Sequence, residues 1–193
     1  GEHLYLYPFA DKDAAGTVFP GYIDPTLDLA LCFAVDIGMK VTYYDIRRLS
    51  EDEEDALGVK FRLLRELLRR SDFVSINADL NPTSKHLINA STLAQMSHKA
   101  VLINTARGPI VEEAAFVDAL RSRRIHGAAM DVFEEEPLAA DSSLKQMDNV
   151  LLAPHNSNSS PAAWENVHWN TIHNLLTGLG ITHDDLKEWK TRV

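Results

Sequence analysis

Three polar residues each come shortly after an apolar segment of the length of a β-strand. Arg107 follows KAVLIN, Glu136 follows GAAMDVF, and His155 follows NVLLAP. An arginine can bind a carboxylate through two parallel hydrogen bonds, and a histidine paired with a carboxylate can donate a proton. Hydride transfer to a 2-keto acid requires these groups. Considered alone, Arg107 can also fix a loop, and Glu136 can belong to a solvated acidic turn.

Two aspartates occupy similar positions in the sequence. Asp131 ends an apolar segment, so its carboxyl group must reach solvent or find a partner. Asp45 ends MKVTYYD, where a carboxylate can accept hydrogen bonds from both hydroxyls of an adenosine ribose and select NAD. Arg47 and Arg48 follow closely and would instead favour the phosphate of NADP. An aspartate that only caps a turn is the structural alternative at position 45.

An alternation of helical and strand patterns from about residue 24 onward predicts a parallel β-sheet covered by helices. Strands are predicted at MKVTYY, DFVSI, KAVLIN, GAAMDVF and NVLLA. Helices are predicted from Asp24 to Gly38, over about 61–70, from Ser91, over VEEAAFVDALRS and from Ser160 to near Gly178. SEDEED is predicted to be a polar connector, and HLYLYPF is a candidate edge strand. Because ligands of open α/β sheets bind beyond the carboxyl ends of the strands, we expect the polar residues described above at one edge.

The composition limits the classes of function. The formal charge of the 193 residues is -9, whereas a surface that binds nucleic acid or an anionic membrane needs a basic excess. We therefore expect no nucleic-acid partner and no membrane association. Cys32 is the only cysteine, which excludes a disulfide framework and fits a reducing compartment, so the expected location is the cytoplasm. No HxH, HExxH or Cys/His spacing occurs, and we expect no catalytic metal.

Five segments together resemble the cofactor-binding domain of the D-isomer-specific 2-hydroxyacid dehydrogenases, the group that includes phosphoglycerate dehydrogenase and glyoxylate reductase. They are GMKVTYYD, SDFVSINADLNPTSKHLIN, LINTARGPIVEEAAFVDAL, AAMDVFEEEP and NVLLAPH, in the family's order and approximate spacing. The resemblance implies an α/β fold with a Rossmann-like, doubly wound parallel sheet and helices on both faces. It also implies an NAD-dependent oxidoreductase that reduces a 2-keto acid to a D-2-hydroxy acid, with NADP as the alternative cofactor.

The resemblance implies a role for each matching residue. Arg107 would hold the substrate, His155 would donate the proton to the carbonyl, and Glu136 would sustain the charged imidazole. Asp45 would bind the adenosine ribose, and Asp131 would bind the nicotinamide carboxamide. The remaining cofactor-binding residues would be Ala78, Thr105 and Ser157. Family members commonly dimerise through this domain, so we expect a homodimer.

The chain departs from the family pattern in three ways. Counted back from Gly38, the phosphate-binding glycines of the family fall on Tyr22, Asp24 and Leu27, where side chains would obstruct the pyrophosphate. Asp79 replaces a proline and adds a negative charge near the cleft. The family's substrate domain has no counterpart in these 193 residues. Weak cofactor affinity and impaired catalysis by this chain alone are therefore expected.

We predict three segments along the chain. They are an atypical opening segment over 1–33, an NAD-binding-type Rossmann domain over 34–160, and a C-terminal helix and tail over 161–193 that return to the substrate domain in the family. The first βα unit is the atypical part of the predicted fold. The leading hypothesis is an NAD-linked 2-hydroxyacid dehydrogenase. The alternative is an impaired family member that acts as a dimerisation or interaction module, which an exposed apolar face near residues 110–120 or on the last helix would support.

Overall fold

The computed structural model describes residues 2–5, 40–156 and 161–180. The chain divides into two compact units, Gly1–His155 and Asn156–Val193. The strands of the first unit are β1 Glu2–Tyr5, β2 Lys40–Tyr43, β3 Val59–Phe61, β4 Ser71–Ile76, β5 Val101–Asn104, β6 Gly127–Met130 and β7 Val150–Leu152. They form one parallel sheet in the order β3-β2-β1-β4-β5-β6-β7. This order defines a doubly wound, Rossmann-like sheet, and the predicted fold class is confirmed.

The first strand lies in the interior of the sheet. Leu4 pairs with Thr42 of β2 on one side and with Val74 of β4 on the other. The prediction of an edge strand in HLYLYPF was therefore wrong, because a short apolar pattern does not reveal how many neighbours a strand has. The strand order reverses between β1 and β4, and dinucleotides bind at such a switch point in open α/β sheets. The helix predicted from Asp24 to Gly38 lies outside the described residues.

The helices of the first unit connect successive strands. Among its described residues, the α-helices are α1 Glu51–Leu57, α2 Leu64–Arg70, α3 Ala90–Leu93 and α4 Glu113–Arg121. The last three coincide with predicted helices, although α3 begins one residue before its predicted start at Ser91. Two 3-10 turns, Gly108–Ile110 and Ser143–Gln146, follow β5 and precede β7 respectively.

Helix α1 occupies the segment that was predicted to be a polar connector, and that prediction was wrong. The Ser50 side chain accepts a hydrogen bond from the Glu53 N–H at 3.3 Å, and the Glu53 carboxylate accepts one from the Ser50 N–H at 2.8 Å. This capping box starts the helix, and the acidic residues of its first turn favour the positive end of the helix dipole. Strand β3 was also not predicted, because three residues are too few to show an alternating pattern.

Apolar side chains around the central strands form the main core. Fully buried members include Leu67, Leu68, Val74, Ile76, Leu102, Phe116 and Leu120. A smaller cluster of Val41, Tyr43 and Val59 joins β2 to β3. Packing of this kind fixes the strands relative to one another, so the residues that follow their carboxyl ends are placed by a rigid scaffold.

The second unit contains helix α5, Pro161–Gly178, which ends where the sequence predicts. Several of its large apolar side chains are exposed, among them Trp164, Val167, Trp169, Ile172 and Leu175. Within the described ranges, no helix has the length and apolar character needed to cross a membrane.

Candidate active site

The residues selected from the sequence follow the carboxyl ends of five parallel strands. Asp45 follows β2, Ala78 follows β4, Thr105 and Arg107 follow β5, Asp131 and Glu136 follow β6, and His155 follows β7. Because all strands run in the same direction, these strand ends share one edge of the sheet. Ser157 and the positions Tyr22, Asp24 and Leu27 lie outside the described residues.

His155 and Glu136 form a hydrogen-bonded pair. Nδ1 of His155 lies 2.8 Å from Oε2 of Glu136, and Oε1 of the same carboxylate accepts a hydrogen bond from the Phe133 N–H at 2.9 Å. The contact with His155, the bond from Phe133 and the positive charge of Arg107 hold the pKa of Glu136 below its ordinary value. The carboxylate is fixed through both oxygens and orients the imidazole. Nε2 is then the ring nitrogen that can meet a bound molecule.

A cavity of ≈ 610 Å³ adjoins this pair. Its lining consists of Phe133, Glu136, Pro137, Leu138, Lys145, Leu152, Ala153, Pro154 and His155. Most of these side chains are apolar, and the few polar groups are the His155–Glu136 pair and Lys145. Apolar cavities with a few fixed polar groups are typical of small-molecule sites, in which the polar groups set the orientation of the ligand.

The loop that carries Arg107 is organised by a buried amide. The Asn104 side chain is fully buried, its Nδ2 donates to the Arg107 carbonyl at 3.0 Å, and its Oδ1 accepts from the Ala106 N–H at 3.1 Å. The Arg107 side chain remains exposed, and its Nη1 donates to the Ala106 carbonyl at 2.6 Å. Asn104 was not selected from the sequence. The available signal was an amide at the last position of an apolar strand, where a buried polar group needs partners.

The Arg107 loop is in backbone contact with the loop that leads to Glu136. A Cβ atom added at Gly108 would lie 1.8 Å from the Phe133 carbonyl oxygen and 2.5 Å from the Glu134 nitrogen. Only a residue without a side chain permits this approach. The contact therefore sets the relative position of the arginine and the His155–Glu136 pair.

A second histidine–glutamate pair reinforces the same region. Nε2 of His86 lies 2.5 Å from Oε1 of Glu134, whose Oε2 accepts from the Glu113 N–H at 3.0 Å. The Glu113 carboxylate accepts in return from the Glu134 N–H at 3.2 Å. Burial raises the pKa of Glu134, but the bonds from Glu113 and His86 outweigh burial and bring the pKa below its ordinary value. These contacts join the loops that follow β4 and β6 to the first residue of α4, and no sequence pattern indicated them.

The floor of the crevice is formed by the ends of β5 and β6. Asp131 is only 4% exposed, and its N–H donates to the Asn104 carbonyl at 2.9 Å. Thr105, the next residue after β5, is exposed. The ends of these two neighbouring strands thus carry a buried carboxyl group and an exposed hydroxyl.

The end of β2 carries a different group of charges. Oδ1 of Asp45 accepts a hydrogen bond from the Arg47 N–H at 2.8 Å, so the turn-capping contact considered from the sequence is present. Burial raises the pKa of Asp45, and the negative charge of Asp79 raises it further. Asp79 therefore lies within electrostatic range of Asp45. The guanidinium of Arg48 is paired with Glu54, with Nε 2.8 Å from Oε1.

The lowered pKa of Glu136 predicts a dependence of stability on pH. Because the folded state favours the carboxylate, this contribution is present above the ordinary value of 4.5 and is lost as the pH falls through the lower folded-state pKa. We expect Glu136→Gln to reduce the free energy of unfolding at neutral pH by less than about 1 kcal/mol, since solvent screens this partly exposed pair. The difference in free energy of unfolding between this variant and the unsubstituted chain should disappear at acidic pH.

Urea unfolding of both proteins across the acidic range measures this difference. Glu135→Gln is the matched control, because it removes the same charge from the neighbouring position without removing the partner of His155. A stability difference for Glu136→Gln that stays constant with pH would contradict the prediction.

Among residues 2–5, 40–156 and 161–180, no cluster of three or more His, Cys, Asp or Glu side chains is arranged to hold a metal ion. The sheet order and the polar residues along its carboxyl edge instead define a dinucleotide-binding α/β domain. The sequence model for the NAD binding domain of the D-isomer specific 2-hydroxyacid dehydrogenases matches residues 29–157. The chain belongs to this family, and the resemblance drawn from the five segments is confirmed.

Related proteins span a range of named activities. The glyoxylate reductase of Thermofilum pendens is 43% identical over 141 residues, covering 73% of this chain and 42% of the relative. The apo D-mandelate dehydrogenase of Rhodotorula graminis superposes with a TM-score of 0.74 at 28% identity, covering 91% of this chain and 47% of that one.

A D-isomer specific 2-hydroxyacid dehydrogenase of Xanthobacter autotrophicus Py2, solved with NADPH and MES, superposes with a TM-score of 0.60 at 38% identity. That match covers 65% of this chain and 40% of the other. The chain thus spans less than half the length of each of these three proteins.

Proposed function

We propose that this chain is the cofactor-binding part of an oxidoreductase that transfers hydride between NAD and a small 2-keto or 2-hydroxy acid. The observation that carries the proposal is the His155–Glu136 hydrogen bond at the carboxyl edge of the sheet, with the charge of Arg107 acting on Glu136. The glyoxylate reductase among the relatives supports a small 2-keto acid as the substrate class.

The proposed roles follow from the groups that each residue presents. The exposed guanidinium of Arg107 binds the substrate carboxylate and polarises the adjacent carbonyl. Nε2 of His155 donates a proton to the carbonyl oxygen as that oxygen gains negative charge, and it accepts the proton in the reverse direction. Glu136 stabilises the imidazolium and fixes the ring through Nδ1.

The described residues fit a nicotinamide dinucleotide at both of its ends. Asp131 and Thr105 carry a carboxyl group and a hydroxyl at the ends of β6 and β5, where we place the nicotinamide carboxamide. Ala78 adds an uncharged wall after β4, and Asp45 offers a carboxylate to the adenosine ribose. When bound, the cofactor supplies or accepts the hydride. Ser157 is assigned to the same cleft by family resemblance alone.

Titration calorimetry with NADH tests the proposal directly. We expect heat of binding and a rise in Tm, because a ligand that binds only the folded state stabilises it. Loss of NADH absorbance with glyoxylate, hydroxypyruvate or pyruvate then tests turnover and identifies the substrate. If millimolar NADH produces neither heat nor a change in Tm, the proposed function of this chain is wrong.

We also propose that the protein forms a homodimer and acts in the cytoplasm. The exposed apolar side chains of α5, such as Trp164 and Leu175, support a surface for association. Near residues 110–120 the large apolar side chains, including Phe116, are buried in the core of the first unit and support no such surface. The single cysteine fits a reducing compartment. Light scattering in solution that gives the mass of a monomer would contradict the dimer.

The interaction module without catalysis is the weaker alternative. It relies on the exposed face of α5, which a dehydrogenase can equally use for association. The pairing of His155 with Glu136 and the two further loop contacts at Gly108 and Glu134 favour the dehydrogenase, because an interaction module does not require them.

A further inference from the structure

We propose that Glu54 determines cofactor specificity by holding Arg48 away from the position of a 2′-phosphate, so that the adenosine end of the crevice accepts NAD and rejects NADP. This inference rests on the proposed function and names a residue that the family resemblance does not assign. Arg48 lies three positions beyond Asp45, where a cation can bind the phosphate that distinguishes NADP. Whether the Arg48 guanidinium is free to bind that phosphate therefore decides whether NAD or NADP is favoured.

Arg48 is engaged by two hydrogen bonds to one carboxylate. Its Nε lies 2.8 Å from Oε1 of Glu54, and its Nη2 lies 3.4 Å from Oε2. Glu54 projects from α1, and its side chain is 10% exposed, whereas that of Arg48 is 53% exposed. Bidentate arginine–carboxylate pairs are among the stronger contacts between side chains. To reach a phosphate, Arg48 would have to leave a nearly buried carboxylate without its cation.

The carboxylate is itself held in place. The hydroxyl of Tyr43 donates to Oε1 of Glu54 at 3.0 Å, and the same hydroxyl accepts from the Leu49 N–H at 2.8 Å. Burial of the phenol and the bond to Glu54 raise the pKa of Tyr43 to about 12. The pKa of Glu54 lies below its ordinary value, first because of Arg48 and then because of Tyr43 and the Phe61 N–H. Glu54 is thus a fixed anion that cannot follow Arg48 outward.

The guanidinium has a further contact on its face. The Cζ atom of Arg48 lies 5.5 Å from the centroid of the Phe61 ring, within the range of a cation–π interaction. Phe61 belongs to β3 and packs edge-on against Tyr43, with ring centroids 5.6 Å apart. Arg48 is therefore retained by β3 as well as by α1.

The other charged residues around Asp45, at the adenosine end of the crevice, together disfavour binding of a phosphate. Asp45 and Asp79 interact electrostatically, and a 2′-phosphate beside Asp45 would meet both carboxylates. Arg47 is the other cation nearby, and its charge acts on Asp45 and on Glu53. With the charge of Arg48 neutralised by Glu54, the carboxylates around Asp45 outnumber the remaining cations, whereas a dianionic phosphate requires an excess of positive charge.

Glu54→Gln tests the inference, because glutamine keeps the shape of the side chain and can still accept from Tyr43. The substitution removes the negative charge and weakens the hold on Arg48. Asp52→Asn is the matched control, since it removes one negative charge from an exposed position of the same helix and leaves Glu54 and the capping box of Ser50 and Glu53 in place. The double variant Glu54→Gln/Arg48→Ala tests whether any gain requires the released arginine.

The measurement is calorimetric binding of ADP-ribose and of 2′-phospho-ADP-ribose, which avoids any need for turnover. We expect Glu54→Gln to raise the affinity for the phosphorylated probe relative to ADP-ribose by about tenfold, the gain from one charge-assisted contact. Asp52→Asn should leave the ratio near that of the unsubstituted chain, and the double variant should lose the gain.

A second variant covers the case in which Glu54→Gln does not fold. Glu54→Met/Arg48→Ala removes both members of the ion pair, so that no uncompensated carboxylate is left, and it should leave the ratio of the two affinities unchanged because the paired arginine does not reach the phosphate. A fall in the relative affinity for 2′-phospho-ADP-ribose would show that Arg48 already binds the phosphate in the unsubstituted chain, and this result would overturn the inference. An unchanged ratio of affinities in a folded Glu54→Gln variant would also overturn the inference about Glu54. If ADP-ribose does not bind to the unsubstituted chain at all, the proposed function itself is wrong.

Discussion

In any catalytically active form of the protein, replacing His155 with glutamine is expected to lower kcat for glyoxylate reduction by about a thousandfold, because general acid catalysis contributes rate factors of this order. The glutamine amide can retain a hydrogen bond to Glu136, whose Oε2 lies 2.8 Å from Nδ1 in the present pair. It cannot donate a proton to the substrate. Binding of NADH should persist, so the loss should be confined to the chemical step.

Steady-state kinetics with NADH and glyoxylate, together with NADH calorimetry, measure both quantities. His126→Gln is a matched control, because it makes the same change at an exposed histidine that follows no strand of the carboxyl edge. Arg107→Ala should differ from both by raising KM for the keto acid in addition to lowering kcat, since it removes carboxylate binding. Full activity of His155→Gln would exclude histidine as the proton donor.

The sheet could be predicted from the sequence to a large extent. The apolar segments ending near Tyr43, Ile76, Asn104, Met130 and Leu152 are short and are separated by helical patterns, which favours parallel pairing. The place of β1 could not be predicted, because its pairing with β2 and β4 depends on residues about 40 and 70 positions away in the chain. A local sequence pattern predicts that a strand forms, but it does not predict which strands will pair with it.

Helix α1 shows a different limit. Its start signal, a serine followed three residues later by a glutamate, was present in SEDEED, but the acidic composition favoured a solvated connector. The deciding contact is Glu54, which turns inward and binds Tyr43 and Arg48. A charged residue that is buried only because of partners in another element cannot be recognised from its own segment.

The candidate site also contains some features that could be predicted from the sequence and others that could not. Strand-end positions were sufficient to select Arg107, Glu136 and His155, because the carboxyl ends of parallel strands share one edge. The supporting contacts join residues that are far apart in sequence, as in the pair of His86 with Glu134. Such contacts depend on the packed geometry of loops, so residues that follow strand ends are easier to select from the sequence than the contacts that hold those residues in place.

Gly108→Ala is expected to destabilise the fold by about 3 kcal/mol or more, at the upper end of the effect of overpacking in a close-packed region. The added methyl group would lie 1.8 Å from the Phe133 carbonyl oxygen, so one of the two loops must move. Movement of the Phe133 backbone would disturb its N–H bond to Glu136 and the pair with His155. The variant should therefore lose keto-acid reduction as well as stability.

Urea unfolding of Gly108→Ala and Gly58→Ala separates steric overlap from backbone strain. Gly58 has a φ of 67° and nothing within 4 Å of its added Cβ, so alanine there is strained without a clash. Its expected loss is about 1 kcal/mol, the penalty of a left-handed conformation for an L-residue. Gly58 ends α1, a helix that carries none of the proposed catalytic residues, so activity should survive that substitution. Equal losses for the two variants, or full activity of Gly108→Ala, would show that the contact between the Arg107 and Glu136 loops does not set the geometry of the site.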